Sequence, residues 1–181
     1  MTTSIQALTG TFAVDPIHSL FQFSVRHMGV STFSASFDDV TGRLVADEQG
    51  VRLDGTVRVE SLSIKLPDFR AHVLDGPDFF DARNHPEMSL RSTNVRLGAD
   101  GTVGLDGELT IKGITKPITA TGTYQPPVTD LSGRERASLE LSATVDRRDW
   151  GFSFQAQLPN GGDALGTQVT LTARVELVRE A

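Results

Sequence analysis

The sequence predicts an all-β protein, an eight-stranded antiparallel up-and-down barrel with a short helical insertion between the third and fourth strands. Three observations carry this. Threonine and valine, β-branched residues that suit a pleated surface, supply 35 of the 181 residues. Apolar and polar residues alternate with period two through most of the chain, and long helical patterns are scarce. Tight turns such as Asp47-Glu48-Gln49-Gly50 and Gly98-Ala99-Asp100-Gly101 join successive segments, which favours antiparallel neighbours. Eight such strands without a covering layer of helices pack as a sandwich or close on themselves. Closure removes the edges, and eight strands is the size that encloses one small ligand.

The elements follow in order. The first strand carries Ser19, Phe21, Phe23, Val25 and His27 on one face, against Gln22, Ser24 and Arg26. A second extended segment covers about 33–46, beginning at Phe33. In the third, 51–64, Val51, Leu53, Gly55, Val57 and Val59 alternate with charged and polar residues, so one face is dry. Next comes the one interruption long enough for helix, 67–83, reading PDFRAHVLDGPDFFDAR. Gly76-Pro77 divides it into two short turns. Its Phe69, Phe79 and Phe80, near Val73 and Leu74, pack down as a plug that is also a lid. The fourth strand, 87–97, turns Met88, Leu90 and Ser92 to one face. The fifth, 103–112, turns Val103, Leu105, Gly107, Leu109 and Ile111. Thr119, Thr121 and Thr123 leave the facing of the sixth, 116–125, open. The seventh presents Ala137, Leu139, Leu141, Ala143 and Val145; the eighth presents Val169, Leu171, Ala173, Val175 and Leu177. No segment repeats.

In an up-and-down order alternate connections share a rim. One rim receives His27-Met28-Gly29, the helical insertion, Lys112-Gly113-Ile114-Thr115-Lys116-Pro117, and residues 147–166. These are the longer and less turn-like connections, which places a mouth there. His27 ends the dry face of the first strand at this rim. Arg147 continues the inward parity of the seventh, with Asp149 two residues on. Two readings of this polar collar stand: it hydrogen-bonds the head group of a ligand whose tail fills the barrel, or Arg147 pairs with Asp149 and ties the loop to the rim. An inward guanidinium needs a partner either way. Trp150 walls the entrance or caps the core, and Gly161-Gly162 gives the last loop backbone freedom. Inward Gly42, Gly55, Gly107, Ala137, Ala143 and Ala173 leave volume that a close-packed interior would fill, which points to a ligand or to larger neighbours.

Several function classes fall away. A net charge of −6 argues against a nucleic-acid surface. The absence of cysteine removes disulfides, thiolate metal sites and thiol nucleophiles. His18, His27, His72 and His85 show no metal-ligand spacing. Asp15 with His18-Ser19 lacks a nucleophile elbow and reads as an anchor before the first strand. The start, MTTSIQALTGTFAV, has no basic or continuous apolar leader and no integral membrane segment, so the expectation is a cytoplasmic chain.

Four segments, VDPIHSLFQFSVRHMGVSTFSASF, HVLDGPDFFDARNHPEMSLRST, LTIKGITKPI and VDRRDWGF, occur in this order. Through them about residues 12–179 resemble the YceI-like, polyisoprenoid-binding family. Phe12 stands where many members carry tryptophan, and many members carry an export leader. The resemblance implies a lipocalin-like eight-stranded barrel with a helical insertion, in one domain spanning 1–181. It also implies an elongated apolar cavity that holds isoprenoid chains or related amphiphiles without catalysis. His27 and Arg147 match histidine and arginine positions of the family's motifs. The expected function is non-catalytic binding, storage or transport of a polyisoprenoid, isoprenoid quinone or similar lipid, with no cofactor beyond that lipid. The expected ligand-binding residues are the inward ones named above, from Phe21, Phe23 and Val25 to Val169 and Leu171, with His27 and Arg147 at the rim. A homodimer suits so small a barrel. Two rival classes are a stress-response or interaction module with a filled barrel, and a lipid-modifying enzyme relying on His27, Arg147 and Asp149.

Overall fold

A computed structural model describes residues 8–181; residues 1–7, half of the start on which the no-leader expectation rests, lie outside the described residues. Eleven strands form one antiparallel sheet: β1 (Gly10–Val14), β2 (Leu20–His27), β3 (Ser31–Phe37), β4 (Val40–Asp47), β5 (Gly50–Arg58), β6 (Leu62–Ser63), β7 (Glu87–Leu97), β8 (Thr102–Ile111), β9 (Ile114–Thr129), β10 (Glu135–Asp146) and β11 (Leu165–Arg179). One α-helix, α1 (Pro67–Asp75), lies between β6 and β7. No helix of the described residues is long and apolar enough to cross a membrane.

Eleven strands make eight staves, because the first three staves are each bent. β1 and β2 both pair with β11, through Val14↔Leu177 and Phe21↔Ala173. β3 pairs with β2, whereas β4 pairs with β1 and β5. β6 pairs with β3 after a 3-10 turn at Val59–Ser61. The ring closes along β11, which pairs with β10 on its other side. The order is the predicted up-and-down meander.

The bends have local causes. Asp15-Pro16 cannot continue a ladder, and the Asp15 carboxylate accepts from the Ile17 N–H at 3.0 Å, closing a turn. Alternation therefore stops after the five residues of β1, which the sequence reading did not separate as a strand. Asp38-Asp39 breaks the segment read as one strand over 33–46.

The rim connection expected over 112–117 is corrected to a two-residue turn. Lys112 and Gly113 both have positive φ, 51° and 71°, the geometry of a tight hairpin, and β9 begins at once. Pro117 sits inside β9 because that strand pairs with β10 only from Thr121 onward. On that side no ladder needs the missing N–H.

The core has two layers. Phe12, Leu44, Leu105, Leu139 and Leu177 are fully buried at the end that carries the 47–50 and 98–101 turns. Phe37, Leu62, Val73, Leu74, Phe80 and Trp150 form the second layer, beneath α1. Gly42 and Gly107 do not leave volume, contrary to the sequence reading. A Cβ on either would lie 2.5–2.6 Å from a neighbouring strand's carbonyl oxygen, so these glycines permit close strand approach.

Candidate functional site: an apolar cavity beneath a lid

The lid is the 67–86 segment. Pro67 opens α1 at a position where its missing N–H costs nothing. Arg70 donates from Nε to the Leu62 carbonyl at 2.7 Å and from Nη2 to the Glu60 carbonyl, fixing the helix to the β5–β6 bend. Gly76 ends the helix, and the chain then folds back through Phe80 N–H to Val73 O and Ala82 N–H to Leu74 O. The second of the two expected helical turns is thus non-helical.

That fold-back drives Phe80 into the barrel. Its ring lies 5.3 Å from Phe37, 5.9 Å from Phe23 and 5.0 Å from Phe152. Phe79 stacks on Phe154 at 4.9 Å and meets the His72 ring edge-on at 5.2 Å. Lys112 holds the lid to the β10–β11 loop. Its Nζ donates to the Pro77 carbonyl at 2.7 Å and the Gly151 carbonyl at 3.0 Å, and lies 5.1 Å over the Phe152 ring. Burial pushes this ammonium below the usual lysine pKa.

Beneath the lid is a cavity of about 430 Å³. Phe21, Phe23, Val25, His27 and Phe33 line it from the first two staves, and Phe79 and Phe80 from the lid. Met88, Val145, Arg147, Trp150, Val169 and Leu171 complete the expected set found there. Only His27, His72 and Arg147 among its lining residues have polar side chains capable of strong hydrogen bonds, apart from the indole of Trp150. That indole donates to the buried Leu109 carbonyl at 3.1 Å, so Trp150 presents hydrocarbon.

Six expected residues, Leu53, Val57, Leu90, Leu105, Leu109 and Leu141, instead border a second, deeper chamber of about 100 Å³. Gly55, Ala143 and Ala173 border it too, whereas Ala137 does not. Val59 and Leu139 border neither: Val59, at the start of the 3-10 turn, is packed in the upper core layer, and Leu139 is sealed in the lower core. Phe152, Phe154 and Ala156 were not singled out, yet all three line the main cavity. Their signal was a period-two run inside a segment read as loop.

The rim corrects a second expectation. Arg147 is 7% exposed and does not pair with Asp149. It donates from Nε to the Gly166 carbonyl and from Nη1 to the Phe152 carbonyl, both at 2.8 Å, tying together the two ends of the β10–β11 loop. A 3-10 turn at Arg147–Trp150 ends the strand's parity and leaves Asp149 in solvent. Asp146 starts that turn by accepting from the Arg148 N–H at 3.0 Å. Its pairing with the Arg148 guanidinium holds its carboxyl at about 2. Burial pushes Arg147 below the usual arginine pKa. His27 is exposed at the mouth.

Outside the barrel, Asp15, His18 and Glu176 come within metal-ligand distance of one another. Arg136 fills this cluster, with Nη1 at 2.8 Å from Asp15 and 2.5 Å from Glu176, and it would repel a cation. His18 Nδ1 lies 3.0 Å from Asp15, and the Ser19 hydroxyl accepts from the Glu176 N–H at 3.0 Å. These contacts anchor the lead-in to β2.

A closed antiparallel barrel around an apolar cavity, capped by an inserted helix, is a lipocalin-like architecture. The YceI-like domain model matches residues 12–177, and the chain belongs to that family. A UPF0312 protein of Pseudomonas paraeruginosa is 29% identical over 157 residues, covering 84% of this chain and 81% of that protein. Burkholderia cenocepacia BcnA superposes with a TM-score of 0.73 at 17% identity, covering 90% of this chain and 98% of BcnA. A polyisoprenoid-binding domain from Saccharophagus degradans, implicated in plant cell wall breakdown, superposes with a TM-score of 0.71 at 14% identity. That match covers 93% of this chain and 98% of the domain.

Proposed function

We propose that this protein binds a long-chain lipid of isoprenoid or similar amphiphilic type without transforming it, as a store or carrier. The tail lies in the main cavity and the polar end meets His27 and Arg147. The observation that carries this reading is a cavity of about 430 Å³ walled by aromatic and aliphatic side chains, with its charged group at the rim. At about 0.8 kcal/mol per buried methylene, a ten-carbon tail contributes roughly 8 kcal/mol before the cost of immobilisation. Few polar contacts are then needed. The non-catalytic part is supported by the lining chemistry, in which the guanidinium is already engaged by two main-chain carbonyls. The polyisoprenoid-binding description of the Saccharophagus neighbour points to the same class of ligand.

The test is calorimetric titration with farnesol and farnesyl phosphate, beside native mass spectrometry and organic extraction of the purified protein. Wild type should bind both saturably. Val145→Trp, which fills the main cavity, should lose at least tenfold in affinity for each. Val57→Trp, which fills only the deeper chamber, should retain farnesol. His27→Ala should weaken the phosphate more than the alcohol. A folded wild type that takes neither ligand, or a Val145→Trp protein that binds as before, would sink the reading.

A further inference from the structure

The main cavity and the deeper chamber share three lining residues: Phe21, Met88 and Leu171. We infer that these three side chains form the floor of the lipid site and set the longest tail it accepts. This rests on the lipid reading above and adds to it a length limit.

Register places Phe21 and Leu171 one diagonal step apart on neighbouring staves. Phe21 of β2 stands opposite Ala173 of β11, and Leu171 stands two residues along opposite Phe23, so both point inward from adjacent staves. Met88 of β7 stands opposite Val57 of β5 and reaches in from another part of the wall. Phe21 is held from above by its stacking on Phe37 at 6.1 Å. Met88 and Leu171 are buried, at 2% and 8% exposure. The wall of the deeper chamber of about 100 Å³ also includes Gly55, Ala120, Ala143 and Ala173, whose small side chains leave it open.

The volumes give the length. At the roughly 30 Å³ that a water-sized group takes in a condensed liquid, 430 Å³ houses about fourteen heavy atoms. That is close to a tail of three isoprene units, or a myristoyl-length chain. The deeper chamber would add about three more by the same measure. Met88 is the weak point of the floor, because an unbranched thioether has more rotatable bonds than Leu171 and less bulk than Phe21. Truncating it removes three heavy atoms and joins the chambers. The joined site should take tails about six carbons longer.

The experiment is a series of saturated primary alcohols from ten to twenty-two carbons, delivered from cyclodextrin. It is read by the fluorescence of Trp150, the only tryptophan and a cavity-lining residue. Wild-type affinity should rise about fourfold per added methylene and then level off near fourteen or fifteen carbons. Met88→Ala should move that break upward by about six carbons. Ala143→Leu, which fills the deeper chamber, should leave the wild-type break in place and cancel the shift when combined with Met88→Ala. If Met88→Ala does not fold, Phe21→Leu opens the same floor. A wild-type series without a break, or a break that shortens with Ala143→Leu alone, overturns the floor while leaving the lipid reading intact. No binding at any length overturns both.

Discussion

Arg147 and Tyr124 both carry polar side chains that are buried, one at the rim and one in the lower core, and they meet opposite fates. Arg147 has two carbonyl acceptors, and its charge serves to close a loop. The Tyr124 hydroxyl is buried and finds no hydrogen-bond partner among the described residues, and burial pushes its pKa up. An unpaired buried hydroxyl costs about 1–3 kcal/mol, whereas its ring packs well among Leu139 and the lower core. Tyr124→Phe should therefore be neutral or stabilising by about 1 kcal/mol, read from the denaturant midpoint at constant slope. A loss above that figure would mean the hydroxyl is satisfied. At this scale the sequence showed that Arg147 points inward, because the parity of β10 runs up to it. Its partners were not legible: the carbonyls belong to Gly166 and Phe152, and any residue offers the same main-chain oxygen.

Among the elements, the lid and the β10–β11 loop behave as one cover because Lys112 joins them. The tight turn at Lys112-Gly113 aims that side chain across the mouth, where it reaches carbonyls of both segments. Ser153 N–H to Asp78 O, at 3.2 Å, adds a main-chain link. Lys112→Met keeps an aliphatic stem over Phe152 and removes both carbonyl bonds. It should lower stability by about 1 kcal/mol and speed release of a bound chain several-fold. Stopped-flow displacement measures the release, and hydrogen exchange at 77–82 measures the loosening. Unchanged release with intact binding would show that ligand exchange bypasses this cover. The insertion and its apolar residues were visible in the sequence, as was the break at Gly76-Pro77. The latch was not, since Lys112 is 35 and 39 residues from its two acceptors.

For the whole molecule, closure of the barrel brings together charges distant in the chain. Arg136 of β10 bonds Asp15, Asp130 and Glu176, from the first bend, the β9–β10 turn and β11. Its guanidinium holds the Asp15 and Asp130 carboxyls well below the usual range. A depressed carboxyl pKa contributes stability that is present above the unfolded value and lost as pH falls towards the folded one. The thermal midpoint should accordingly fall between about pH 4 and pH 2. Arg136→Met should start lower at pH 7 and show a shallower acid slope over that window. An identical slope in the variant would assign acid sensitivity to other carboxylates.

The all-β class, the meander, the inward faces of the strands and the rim with the long connections are legible from the chain alone, apart from the 112–117 connection that proves a tight turn. These depend on period-two alternation and turn chemistry, which are local. The folded barrel adds what alternation does not carry: it holds two chambers, Val59 and Leu139 border neither, and Phe152 and Phe154 wall the larger. Whether an inward side chain lines a cavity or fills it depends on its depth and on what faces it from other staves. Both follow from bends at Asp15 and Asp38 and from side chains meeting across the barrel, and strand periodicity carries no record of either.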